Sequence, residues 1–227
     1  MKWFFKKTEN KVINKVINYD NLVVIEDGIE RKPRSDEVFN IRINNQGKNN
    51  VVKLELPYNP KLSLYINFIS DNNTVVFHRY CMGQWNVSCF DGNCSIEIGE
   101  KTMCISTYIS AVGGSLQIGK ECLFANDIII WAGDGHSVLD LETKSVLNKP
   151  KGTLKIGNHC WIGQNVSITK SAEISEDCIV GIGSVVTKKF TEKHVVIAGN
   201  PARVVKTGIT WNGASPLTYD KQTLKKS

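Results

Sequence analysis

The chain has 227 residues, 41% of them hydrophobic, with 28 Lys and Arg against 22 Asp and Glu and a formal net charge of +6. That length suits one domain with a continuous core, and its longest apolar runs fall far short of the roughly 20 residues of a membrane span. The start, MKWFFKKTENK, lacks an apolar stretch of signal-peptide length, so cytoplasmic residence is expected.

Residues 1–36 carry no repeat, and the ERKPRSDE run from Glu30 reads as a surface turn. This segment is expected to supply strands or a cap over the open end of a repeat that begins beyond it. From residue 37 a loose pattern sets in: IRINNQGKNNVVKL from Ile41, LYINFISDNNTVVF from Leu64 and VSCFDGNCSIEIG from Val87. Each holds two apolar stretches around a corner rich in Asn, Gly or Asp, residues that tolerate positive φ at small cost. Their spacing, about 20 to 23 residues, predicts irregular coils of a solenoid.

A stricter period governs the C-terminal half. Ile156, Ile162, Ile168, Ile174, Val180 and Val186 fall at every sixth position, each of the first five followed four residues later by a small side chain: Cys160, Val166, Ala172, Cys178 and Ser184. Six fits neither a helix near 3.6 nor a plain strand of 2. Three such units make one full coil, and a triangular solenoid of short parallel strands accommodates them. The phase runs back through Ile130, Phe124 and Ile118, then through Ser110, Cys104 and Ile98. Between Ile118 and Ile156 stands GDGHSVLDLETKSVLNKPKG, polar, out of phase and bounded by glycines, which predicts a loop over about 134–153. The β-helix is expected to span 37–207. Beyond Val196 its phase stops in IAGNPARVVK, where Pro201 cannot donate to a ladder, and residues 208–227 form a tail.

Seven cysteines occur without a CxxC pair. Cys122, Cys160 and Cys178 share one hexad position, so they read as reduced, inward-facing small residues. Of four histidines, His136 stands at the head of the loop between glycines, free to exchange a proton with a hydroxyl near neutral pH. Asp134 or Asp140 is the candidate to orient its ring. His78 is out of phase with His136, and His159 and His194 follow corners without an evident partner, so no metal site is expected. Trp161, in CWIG, projects at a corner with a single fixed donor. The positive residues are dispersed and do not interleave with aromatics, which argues against nucleic acid as the partner.

The stretch IGNHCWIGQNVSITKSAEISEDCIVGIGSVVTKKFTEKHVVIAGNPARVVK resembles the hexapeptide-repeat acyltransferases, especially the bacterial capsule and O-antigen O-acetyltransferases. The resemblance covers residues 96–209 well and 37–95 loosely. It implies an all-β fold, a left-handed parallel β-helix, assembled as a homotrimer with active sites at the subunit interfaces. It implies acetyl-CoA as co-substrate, a saccharide acceptor and no metal. Lipid-linked acceptors in such pathways would bring peripheral membrane association. Carried over residue by residue, the general base matches His136 and a tryptophan implicated in catalysis matches Trp161. Coenzyme-contacting positions match Gln164, Ile182, Thr187, Lys188 and Arg203, with Gly163 and Gly181 permitting close backbone approach. One departure stands out. Galactoside acetyltransferases carry an acceptor-binding asparagine and an acidic residue in earlier coils, and the matching coil here reads CISTYIS. The function expected is O-acetylation of a capsule, polysialic acid or O-antigen saccharide. N-acetylation of a nucleotide-linked amino sugar, a non-catalytic scaffold and a zinc hydratase are the alternatives.

Overall fold

The computed structural model describes residues 19–149 and 152–219. The expectations for positions 1–18 and for positions 220–227 of the tail therefore lie outside the described residues. Within them the chain winds into a three-sided parallel solenoid.

The first face stacks eight parallel strands: Leu22–Glu26, Val51–Glu55, Thr74–Phe77, Ser95–Ile98, Ser115–Ile118, Thr153–Ile156, Glu173–Ile174 and Lys189–Phe190. The second face ends in Leu123–Phe124, Trp161–Ile162, Ile179–Val180 and Val195–Gly199. The third stacks Ile41–Asn45, Leu62–Phe68, Met82–Phe90, Met103–Val112, Ile128–Ala132, Ser167–Ile168 and Val185–Val186. The strand Met103–Val112 serves two faces, since Cys104 pairs with Phe124 on the second and Ile109 with Ile130 on the third.

All six aliphatic hexad residues from Ile156 to Val186 are buried, and so are the five small ones. The small positions also satisfy the turns. Thr102 Oγ1 accepts from Cys122 N at 3.1 Å and donates to Gly119 O at 2.7 Å, and Cys122 Sγ takes the matching place opposite Cys160 N at 3.5 Å. A thiol or hydroxyl is thus small enough for the corner and polar enough to answer its backbone.

Three details differ from the sequence reading. The first strand, Leu22–Glu26, is already a rung of the stack, so the solenoid begins before residue 37. The ERKPRSDE run opens in a strand, Ile29–Arg31, paired antiparallel to that rung, and Arg31 is clamped by Glu26 and Glu37 at 2.8 and 2.6 Å. On the third face Ile109, not Ser110, stacks on Ile130. The unbroken strand Met103–Val112 rounds its corner in fewer residues, and the surplus is taken up at Gly113–Gly114.

At the far end the chain reverses at Asn200–Pro201, and Ala202–Thr207 runs back antiparallel along Val195–Gly199. No helix among the described residues is long and apolar enough to cross a membrane.

Candidate active site

Ile118 pairs directly with Ile156, so these strands lie on successive coils, and residues 133–149 leave the corner between the third and first faces. Gly133 is the root of this loop. Its φ is +141°, and a Cβ there would lie 2.4 Å from Val112 O, so only glycine lets the chain depart so close to the coil above.

The loop is held by polar contacts rather than by a core. Asn148 Nδ2 donates to Asp134 Oδ2 at 2.6 Å and to the His136 carbonyl at 2.8 Å, while its Oδ1 accepts from Val138 N at 2.7 Å. Lys170, one coil on at the same corner, binds the Asp134 carboxylate and Asn148 O. That ammonium holds the Asp134 carboxyl below its usual value. At the tip Asp140 accepts from Thr143 N and Oγ1 at 2.7 and 2.9 Å, which lowers its pKa as well. Both carboxylates expected to orient His136 are therefore committed elsewhere, and the exposed imidazole is positioned through its backbone. The loop is also less polar than its sequence suggests, with Leu139, Leu141 and Leu147 exposed.

Trp161 opens its second-face strand and is 41% exposed. The outward column on that face reads Met103, Leu123, Trp161, Ile179, Val196. The first face carries Glu97, Gln117, Lys155, Glu173 and Lys189 in the corresponding places. A polar face thus stands beside an apolar one.

The expected coenzyme positions divide. Thr187 and Lys188 lie between the third-face and first-face strands, at the corner that bears the His136 loop. Gly163, Gln164, Gly181 and Ile182 follow second-face strands, beside Trp161, and Arg203 lies on the reversed strand paired to the same face. In a three-sided prism that corner is opposite that face, so one chain does not bring His136 and Trp161 together. The two glycines have a structural cause: a Cβ on Gly163 would lie 2.8 Å from Ile182 N, and one on Gly181 would lie 3.1 Å from Ala198 Cβ. The next coil, rather than a bound molecule, demands them. Lys188 sits over the Phe190 ring at 5.4 Å, and Arg203 donates to Ala202 O at 3.0 Å. Neither forms an ion pair among the described residues.

Two groups escaped the sequence reading. A cavity of about 450 Å³ on the third face is lined by Tyr65, Asn86, Tyr108 and Asp127, among others. Asn86 pairs in register with Tyr108, so an amide and a carboxylate flank CISTYIS from the coils before and after it. Only strand register reveals that neighbourhood. The second group surrounds His159, which has partners after all: its Nδ1 lies 2.8 Å from Asp177 Oδ1, and Trp211 stacks on its ring. No group of three or more His, Cys, Asp or Glu among the described residues is arranged to hold a metal ion.

No family model matches the chain. It is 34% identical over 162 residues to the polysialic acid O-acetyltransferase of Neisseria meningitidis, covering 70% of this chain and 75% of that one. It is 34% identical over 97 residues to the polysialic acid O-acetyltransferase of Escherichia coli O1:K1, where the match spans 43% of this chain but only 31% of that one. The crystal structure of the polysialic acid O-acetyltransferase OatWY superposes with a TM-score of 0.67 at 28% identity, over 83% of this chain and 96% of the other. That of the polysialic acid-specific acetyltransferase NeuO gives 0.64 at 25%, over 82% and 97%. The solenoid is accordingly of the left-handed parallel kind. On coil register, motif and relatives together, the chain belongs to the hexapeptide-repeat acetyltransferases, in the group that holds the polysialic acid O-acetyltransferases.

Proposed function

We propose that the chain is a cytoplasmic, acetyl-CoA-dependent O-acetyltransferase that modifies a hydroxyl of an acidic bacterial surface saccharide, of capsule, polysialic acid or O-antigen type. We propose that it works as a homotrimer. The observation that carries this reading is the division of its site residues between one corner and the face opposite. Around a threefold axis the loop of each copy meets the second face of the next, so His136 of one copy faces Trp161 of its neighbour. The exposed leucines of the loop and the apolar column through Leu123, Trp161 and Ile179 are the matching surfaces.

In the groove so formed, Lys188 and Arg203 are cations without a counter-ion among the described residues, suited to the phosphates of the coenzyme. The third-face cavity receives the acceptor. Tyr65 and Tyr108 offer ring faces to the sugar, Asn86 and Asp127 bind its hydroxyls, and Arg42, 5.4 Å over Tyr65, supplies positive charge for an acidic group. The imidazole of His136 takes the proton of the attacking hydroxyl as its oxygen bonds to the thioester carbonyl carbon. The carbon–sulfur bond then breaks, and the imidazolium returns the proton to the departing thiolate. Holding both substrates in one groove supplies much of the remaining acceleration.

The test incubates the purified chain with acetyl-CoA and a panel of neutral and sialylated oligosaccharides, reading free thiol. The product is expected to lose its acetyl group in mild alkali, as an ester does and an amide does not. His136→Ala is expected to cut turnover about 10²- to 10⁴-fold while light scattering still reads a trimer. Full turnover in that variant overturns the reading.

A further inference from the structure

The chain beyond the reversed strand climbs back along the solenoid. Ile209 N donates to His194 O at 3.0 Å. Two residues on, Trp211 lies flat on His159, with ring centroids 4.4 Å apart and planes 9° from parallel, and its Nε1–H donates to His159 O at 2.7 Å. From the next coil Asp177 holds the edge of the same imidazole. His159 is a corner residue with φ of 52°, two positions before Trp161. The Trp161 ring lies 6.2 Å from Trp211, tilted by 44°.

Trp161 is exposed, and its own indole N–H has no hydrogen-bond partner among the described residues. Such a side chain is free to change rotamer unless a neighbour blocks it. Trp211 is that neighbour, and it is itself fixed by a stacking contact and a hydrogen bond to one corner residue. We propose that Trp211 is a positioning residue for the transfer reaction, holding the Trp161 indole in the orientation the subunit groove requires. The proposal rests on the reading of Trp161 as part of that site.

The full chain and four variants test it: Trp211→Ala, Trp211→Phe, Trp161→Ala and Trp161→Phe. Two tilted indoles at this spacing couple their transitions, so circular dichroism is expected to show an exciton couplet that Trp211→Phe and Trp161→Phe each abolish. Turnover gives the second readout. Trp211→Ala is expected to lower kcat at least about tenfold, since a misplacement near 1 Å can cost about 100-fold, with KM for acetyl-CoA within about twofold of its starting value. Trp211→Phe, which keeps a ring on the imidazole, is expected to restore most of that loss. If Trp211→Ala fails to fold, the couplet decides, and its absence from the full chain overturns the positioning role. Unchanged kcat in Trp211→Ala alongside an inactive Trp161→Ala overturns the positioning role. Full activity in Trp161→Ala overturns instead the reading on which it rests.

Discussion

The last coils and the first are wound on the same three faces but turn their corners by different means. From Thr153 onward most strands are two residues long, the pairing steps evenly from Ile156 to Ile174 and from Ile162 to Val180, and thiols, a hydroxyl and small aliphatic side chains fill the corners. Before Gly133 the pairing advances from Val52 to Val75, Ile96 and Leu116, steps that are each longer than three hexads and shorten toward the loop. There the strands reach ten residues, buried amides occupy a corner, and Phe77, Trp85 and Phe124 fill the interior edge to face at 5.6 and 5.7 Å. Extra residues per coil make the spool wider, and a wider spool needs larger side chains inside. The regular coils supply a straight wall. The irregular ones supply room for a cavity.

Deleting the largest filler is the strongest way to break this contrast. Trp85→Ala is expected to cost about 3–5 kcal/mol in urea unfolding, and a loss below about 1 kcal/mol would mean the wide coils do not depend on aromatic packing. The narrow coils should fail in the opposite direction: Ala172→Leu overfills a corner with no space and is expected to cost about 1–3 kcal/mol by the same measurement. The corners can be compared directly. Asn73 is buried, donates from its backbone and side chain to Asn50 Oδ1, donates to Ser70 O and accepts from Cys94 N. Asn73→Ala strands those partners and is expected to cost about 1–3 kcal/mol, while Cys178→Ala, losing one sulfur, should cost about 1 kcal/mol or less.

The smallest effect is a pH slope confined to the wide coils. His78 bridges Glu55 and Glu97 at 2.7 and 2.8 Å, tying together three first-face strands. Burial opposes its charged form, but the hydrogen bonds to Glu97 and Glu55 outweigh it and raise the pKa above the ordinary 6.5. With the folded value raised, the bridge stabilises fully below the unfolded pKa and is lost as pH climbs through the folded one. The urea midpoint is therefore expected to fall modestly as pH rises above 6.5, and His78→Gln should remove that slope.

The same contrast decides what the residues alone revealed. A strict hexad makes every inward position readable, and the loop announced itself by breaking that phase between Ile118 and Ile156. In the wide coils spacing no longer fixes register, which is why Ser110 stood in for Ile109 and why the grouping of Asn86 with Tyr108 and Asp127 stayed hidden. His136 and Trp161 were legible as residues, yet their placement on opposite sides of one prism emerged only from the strand pairing. Trp211 carried no periodic signal, because a strap that crosses a corner obeys no repeat.

Among the described residues, each end of the parallel stack carries a reversed strand on one face, Ile29–Arg31 beside Leu22–Glu26 and Ala202–Thr207 beside Val195–Gly199. A pile of identical rungs is otherwise an invitation to endless growth, each new chain copying the direction of the last. On those two faces, reversing the final strand withdraws that invitation.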